Sequence, residues 1–286
     1  MKRLAIVWLF VVPVALAAAP EDAVTSYQQG VSHLTAKDVP PDPAAARQAF
    51  RQAADQGHSL AALQLGMLYA KGIGGLRDDA EALRCFSAAA AVGQREALYN
   101  KGLFLLQGRG APRDVDAGLT ALAAAAETGS IAAHIKLADT HYFGGEGIPA
   151  NRARALPHVK AAAAAGDAWA CNILGTMAEF GYEMKPDHNA ALHWFGVAAE
   201  QGDPKAQGNL GRLLRIGTSN PGTRILAYVW LRLSSLQGEI TAAYSLKDHV
   251  ISMTPHEIAE GDQAVEKFRL DLAEKRASKP AAAARR

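Results

Sequence analysis

Histidine side chains are the first candidates for chemistry in this 286-residue sequence. His134 and His141 are seven residues apart, with Asp139 between them. Two zinc ligands on one helix typically stand four residues apart, as in H-E-x-x-H. The position four residues after His134 is Ala138, which binds no metal. The spacing therefore predicts partly exposed helix histidines, and we expect neither a metal nor another cofactor.

Motifs that carry a nucleophile or bind a phosphate are missing from the sequence. It contains neither G-x-S-x-G nor a phosphate-binding loop. The glycine-rich stretch at 144–147 follows a predicted helix rather than a strand, which indicates a turn at a helix end. We assign no catalytic residue, and the sequence favours a protein that is not an enzyme.

The N-terminal segment has the order of a secretory signal peptide. Lys2 and Arg3 precede an apolar run that ends in small residues. An A-x-A pattern ends at Ala17 and predicts cleavage after that residue. Cleavage after Ala19 also fits, but it would leave Pro20 beside the scissile bond. We predict a signal peptide at 1–17 and a periplasmic or secreted protein.

The alternative to a signal peptide is an uncleaved membrane anchor. The apolar run from 4 to 19 is shorter than the ~20 residues that a spanning helix needs. We therefore expect no stable membrane insertion after cleavage. Of the 30 Lys and Arg residues, two lie in the predicted leader, and 28 Asp and Glu residues balance the others. This neutral balance argues against a nucleic-acid partner.

The rest of the chain repeats itself with a period of 36 or 37 residues. Three glycine series share this period and place the single extra residue in the same stretch. A fixed period of this length is typical of stacked helical or mixed repeats. The series contain Gly30, Gly66, Gly102, Gly175 and Gly211; Gly57, Gly93, Gly129, Gly166, Gly202 and Gly238; and Gly72, Gly108, Gly144, Gly181 and Gly217.

Each repeat reads as two helices. Apolar residues at helical spacing mark the first helix, in which a glycine lets the second helix cross closely. A glycine at the end of the first helix favours a left-handed backbone. An Asp or Asn then begins an alanine-rich second helix. The predicted N-caps are Asp42, Asp78, Asp114, Asn151 and Asp187.

The register of the repeats also leads to predictions for the two cysteines and for the C-terminal segment. Cys85 and Cys171 lie three repeats apart, too far for a disulfide, so we expect two free, buried cysteines. After Gly238 the repeat pattern stops, and the sequence predicts two helices that cover the last apolar face. The predicted organisation is a repeat domain at 18–245, capping helices at 246–274 and a disordered basic tail at 275–286.

The repeat unit resembles the Sel-one-like repeat, a relative of the tetratricopeptide repeat. The motif A-x-x-x-LG-x-x-Y-x-x-G-x-G is carried by Ala62, Leu65, Gly66, Tyr69, Gly72 and Gly74. It continues as Asp78, Ala82, Phe86, Ala89, Ala90 and Gly93. The resemblance implies an all-α, right-handed α/α superhelix of about six helix pairs with a C-terminal helical cap. It also implies a scaffold that binds a protein or peptide on its concave face.

In the related tetratricopeptide fold, the first helix of each pair lines that concave face. The register of the repeats on that fold then predicts seven partner-binding residues. Aromatic and arginine side chains, which occur among them, are typical of binding hot spots. The seven residues are Tyr99, Asp139, Trp169, Asn172, Glu179, Arg212 and Arg215.

Three functions remain open at this point. The leading hypothesis is an exported, non-catalytic scaffold in a bacterial cell envelope, and a secreted factor that acts on a host receptor is a variant of it. The alternative is a β-lactamase-like hydrolase or β-lactam-binding protein on the same repeat fold, because one cysteine-rich branch of the family is associated with that activity. That branch has a cysteine pair in each repeat, whereas Cys85 and Cys171 stand alone.

Overall fold

The computed structural model describes residues 20–36, 40–145, 147–216 and 220–278, and within these ranges it contains fourteen α-helices and no β-strand. The predicted signal peptide at 1–17 lies outside the described residues. The all-α class with successive packed helix pairs is confirmed. No helix in the described part is long and apolar enough to cross a membrane.

The chain divides into two compact units, with the boundary after Ser130. The helices of the first unit are α1 (Glu21–Thr35), α2 (Pro43–Asp55), α3 (Ser59–Lys71), α4 (Asp79–Ala91), α5 (Arg95–Gln107) and α6 (Val115–Glu127). The helices of the second unit are α7 (Ile131–Phe143), α8 (Arg152–Ala164), α9 (Ala168–Phe180), α10 (His188–Glu200), α11 (Pro204–Arg215), α12 (Pro221–Leu236), α13 (Ile240–Val250) and α14 (Pro255–Ser278). Within each unit, every helix packs against the next along the chain, except that α14 packs against α12.

Polar side chains fix where the second helix of each pair begins. The Asp78 carboxylate accepts a hydrogen bond from the Glu81 backbone N–H at 3.0 Å. The other predicted N-caps, at 42, 114, 151 and 187, accept backbone N–H groups in the same way and are confirmed. Each cap satisfies a donor that has no partner inside its helix. The first helices α3, α5 and α9 end at glycines with φ of 66–71°, as predicted.

Glycines inside the first helices allow the helices of a pair to approach closely. A Cβ atom on Gly175 would lie 2.7 Å from Cδ1 of Phe195. At Gly211 it would lie 2.9 Å from the backbone nitrogen of Leu231, which cannot rotate away. The predicted role of these glycines as crossing points is therefore confirmed.

Each unit has its own apolar core. In the first unit, Phe50 and Phe86 are fully buried among alanines. In the second, Phe195 and Met177 are fully buried. Small alanine side chains bring the helix backbones together, and one large side chain then fills the space at each crossing.

The C-terminal region differs in detail from its predicted boundaries. Helix α12 begins at Pro221, capped by Asn220, and α13 begins at Ile240, before the boundary predicted at 245/246. A capping box begins α14, since the Thr254 backbone N–H donates to the Glu257 carboxylate at 2.8 Å and the Glu257 N–H donates to the Thr254 hydroxyl at 3.3 Å. Helix α14 continues to Ser278, so 275–278 are helical rather than disordered. The run of Ala, Glu, Lys and Arg there favours a helix, and 279–286 lie outside the described residues.

The crossing at Gly211 provides a test of this packing. We expect Gly211→Ala to lower the free energy of unfolding by about 1–3 kcal/mol, because the added methyl group meets backbone atoms of α12. Urea unfolding followed by tryptophan fluorescence measures this change, since Trp169, Trp194 and Trp230 all lie in the second unit.

The matched control is Gly196→Ala in α10. A Cβ atom there meets nothing within 4 Å. The Gly196→Ala substitution should raise the free energy of unfolding by roughly 0.5–1 kcal/mol, because alanine is a better helix former than glycine. Equal effects of the two substitutions would contradict the packing role of Gly211.

Candidate partner-binding surface

Two first helices of the second unit, α9 and α11, are joined by polar side chains. The Arg212 guanidinium donates to the Glu179 carboxylate at 2.6 Å. One turn earlier on α11 and two turns earlier on α9, the side-chain amide of Asn209 donates to the Asn172 side-chain oxygen at 3.0 Å. The Glu179 side chain is only 10% exposed and that of Arg212 is 32% exposed. These bonds therefore hold the two helices at a fixed separation.

This arrangement divides the predicted binding residues by role. Asn172 is buried, so Asn172, Glu179 and Arg212 connect the helices more than they face solvent. Trp169 and Arg215 remain partly exposed. The Trp169 ring packs against the core of the second unit and lies 6.5 Å from the Phe143 ring. Trp169 and Arg215 are the members of this group whose side chains take no part in the bridges between α9 and α11.

The other two predicted residues lie elsewhere. Asp139 on α7 pairs with Lys136 one turn earlier at 3.7 Å, and its side chain is 47% exposed. Tyr99 lies on α5, in the first unit, and burial raises the pKa of its hydroxyl. Six of the seven residues thus belong to the second unit, and Tyr99 belongs to the first.

Aromatic side chains lie close together near the ends of α7 and α9, and Tyr182, Phe143 and Phe180 among them were not predicted from the sequence. The Arg152 guanidinium lies 4.2 Å from the centre of the Tyr182 ring and 5.4 Å from that of Tyr142. Phe143 and Phe180 are more than half exposed in the same two repeats. Their separation of 37 residues equals the step between Gly144 and Gly181 and is the signal that could have revealed them.

Three histidines meet between α7 and α8, and sequence reasoning considered only two of them. The Nδ1 atoms of His134 and His158 are 3.0 Å apart, so one ring can donate to the other when at least one is neutral. The His141 ring is stacked on that of His158, with ring centres 6.4 Å apart. Burial, followed by the nearby His134 and His141, lowers the pKa of His158 to about 4. Among the described residues, no three His, Cys, Asp or Glu side chains are arranged to hold a metal ion.

The cysteines are free and buried, as predicted. Burial raises the pKa of each thiol to about 11. Because the thiolate is the reactive form, neither side chain is suited to nucleophilic attack near neutral pH.

Comparison with known proteins identifies the repeat. A family model for the Sel1 repeat matches residues 27–58, 59–93, 95–126, 131–167 and 170–203, which together exceed half of the chain. The chain belongs to the Sel1 repeat family. The resemblance drawn from the sequence motifs is confirmed, and the pair formed by α11 and α12 follows the last matched Sel1 repeat.

Solved structures agree with this assignment. A protective antigen of uropathogenic Escherichia coli that displays an SLR fold matches with a TM-score of 0.74 and 26% identity over 88% of this chain. This chain covers 54% of the length of that antigen's chain. A Sel1 repeat protein of Oxalobacter formigenes matches with a TM-score of 0.62 and 24% identity, over 89% of this chain and 97% of the other. The comparison with curated proteins found no match.

The histidine group between α7 and α8 predicts that stability depends on pH. The pKa of His158 in the folded Sel1 domain lies below its ordinary value near 6.5. As the pH falls through 6.5, His158 is therefore protonated in the unfolded chain before it is protonated in the folded protein. The free energy of unfolding then falls progressively towards pH 4. Urea unfolding of the second unit at pH 7, 6 and 5 measures the loss.

A substitution of His158 separates this contribution from that of other groups. His158→Gln should reduce the slope of stability against pH between 7 and 5, whereas His256→Gln, an exposed substitution at the start of α14, serves as the control. An unchanged slope in His158→Gln would show that the buried histidine does not cause the loss.

Proposed function

We propose that this protein is an exported, non-catalytic scaffold that binds a protein or peptide partner in the bacterial cell envelope or outside the cell. The single observation that carries the proposal is the pair of side-chain bridges between α9 and α11. Sel1 repeats generally mediate contacts between proteins, and their family is typically one of non-catalytic scaffolds. A rigid pair of helices with Trp169 and Arg215 beside the bridges suits that role.

A rigid pair of helices suits binding because little conformational entropy is lost when a partner binds to it. A partner that binds to a preorganised surface does not have to order it, so more of the interaction free energy appears as affinity. Trp and Arg side chains carry a large share of binding energy at protein interfaces. We therefore place the centre of the interface at Trp169 and Arg215, with Asp139 on α7 as a further contact.

The exported location rests on the N-terminal sequence. Lys2, Arg3 and the apolar run after them have the order of a cleaved leader. The resemblance to a protective antigen supports a place where the protein meets molecules outside the cytoplasm. Free cysteines with high thiol pKa values give no support to the hydrolase alternative.

Binding can be tested with a double substitution that spares the bridges. We expect Trp169→Ala/Arg215→Ala to remove a partner that the wild-type protein captures from an envelope extract, as identified by mass spectrometry. Changing Arg212 instead would leave the Glu179 carboxylate, which is mostly buried, without its cation and would mix a loss of stability with a loss of binding.

The control is Lys160→Ala/His193→Ala, which alters exposed positions on the second helices α8 and α10. This variant should retain the partner. Equal recovery of every captured protein by both double variants would exclude the proposed surface.

Export has its own measurement. Full-length protein expressed in a Gram-negative host should appear in the periplasmic fraction or the medium, with an N-terminus at Ala18 by mass spectrometry. A chain that lacks 2–17 should stay in the cytoplasm. Retention of the full-length chain with its leader intact would contradict the predicted cleavage.

A further inference from the structure

An open pocket in the first unit contains two arginines and a tyrosine whose hydroxyl has no partner in the described part of the chain. The pocket has a volume of about 370 Å³ and is lined by Ala44, Arg47, Gln48, Arg51, Tyr69 and Gly74. It lies between α2 and the end of α3, together with the loop that follows α3. Tyr69 and Gly74 belong to the Sel1 repeat motif, whereas the proposed surface on α9 and α11 involves none of the residues that line this pocket.

Tyr69 provides the observation that the fold leaves unexplained. The residue is 3% exposed, and its hydroxyl oxygen is covered yet makes no hydrogen bond within the described part of the chain. A buried hydroxyl without a partner is unfavourable, and most such groups are satisfied in native proteins. The hydroxyl therefore lacks an acceptor, and one that comes from outside the chain reaches it once a covering side chain moves aside.

The two arginines supply positive charge beside that hydroxyl. The Arg47 guanidinium lies 3.7 Å from the centre of the Tyr69 ring and donates to the Leu76 carbonyl at 3.1 Å. The Arg51 guanidinium lies 5.5 Å from the same ring and is exposed. One guanidinium N–H group of Arg47 is thus bonded to the loop, whereas the guanidinium N–H groups of Arg51 remain available to a ligand.

We propose that this pocket binds a carboxylate group of a peptide, held by Arg51, Arg47 and the Tyr69 hydroxyl. A planar carboxylate matches the paired donors of a guanidinium, and its second oxygen can accept the tyrosine proton. A single negative charge suits the site better than a phosphate dianion, because Arg47 is partly engaged and Asp55 stands at the end of α2. The Gln48 side chain adds an amide donor at the rim.

The carboxylate belongs either to an acidic side chain or to a peptide C-terminus. The probes that separate these sources are N-acetylglutamate N-methylamide and N-acetylalanine, with N-acetylglutamine N-methylamide as the neutral control. Titration of the full mature chain by ¹H–¹⁵N NMR should give saturable shifts at the amides of 44–51 and 72–76 with one or both carboxylates and none with the neutral amide. The tighter of the two carboxylates identifies the source.

Tyr69→Phe is the decisive substitution because it removes only the hydroxyl. The loss of one hydrogen bond to a charged group should weaken carboxylate binding by about tenfold. The melting temperature should stay the same or rise, since the hydroxyl has no partner among the described residues of the free protein. A purely structural tyrosine would give the opposite pattern, with lower stability and unchanged affinity.

Arg51→Gln should also weaken binding by about tenfold or more. Arg95→Gln removes the same charge from an exposed position on α5 in the same unit and should bind like the wild type. Equal affinity of the wild type, Tyr69→Phe and Arg51→Gln would overturn the proposal, and so would tighter binding of inorganic phosphate than of either carboxylate. Because Trp169→Ala/Arg215→Ala should leave these titrations unchanged, failure of this site is distinguishable from failure of the proposed function.

Discussion

The close crossing of two helices at a glycine is the constraint on which the structure depends. At Gly66 and Gly175, a phenylalanine ring of the second helix lies where a side chain of the first helix would otherwise project. Leucines fill the equivalent space at Gly102 and Gly211. The contact has one small and one large partner at each of these crossings, so the same close approach recurs along the chain. Alanine-rich second helices extend the same contact along their length.

This constraint explains why helix ends are specified so strongly. A helix pair that is held at one crossing point still needs its ends fixed, because the next pair must begin in the correct orientation. Asp or Asn caps at the start of the second helices and left-handed glycines at the end of the first helices perform this task. Each unit then combines its own core with short connections, and most stabilising contacts join elements that are neighbours in sequence.

Those features were predictable because they are local. A cap such as Asp78 acts on a residue three positions away, and a crossing glycine recurs at a fixed period. The bridges between α9 and α11 were not predicted as bonds, because Arg212 and Glu179 are 33 residues apart and either side chain alone reads as a surface charge. His158 was missed for the same reason, since it meets His134 from a different helix. The extent of α14 was underestimated because its last turn is basic, a composition that is equally typical of tails.

The two lone thiols have a consequence for how the protein behaves in different compartments. Cys85 and Cys171 lie in separate units, and both are enclosed by packed side chains. The native covalent structure is therefore the same in a reducing cytosol as in an oxidising space, and maturation needs no disulfide-forming enzyme. An unfolded chain differs, because it exposes one oxidisable sulfur from each unit. In an oxidising compartment those sulfurs can cross-link separate chains, so transient opening of either unit would convert a reversible event into permanent aggregation.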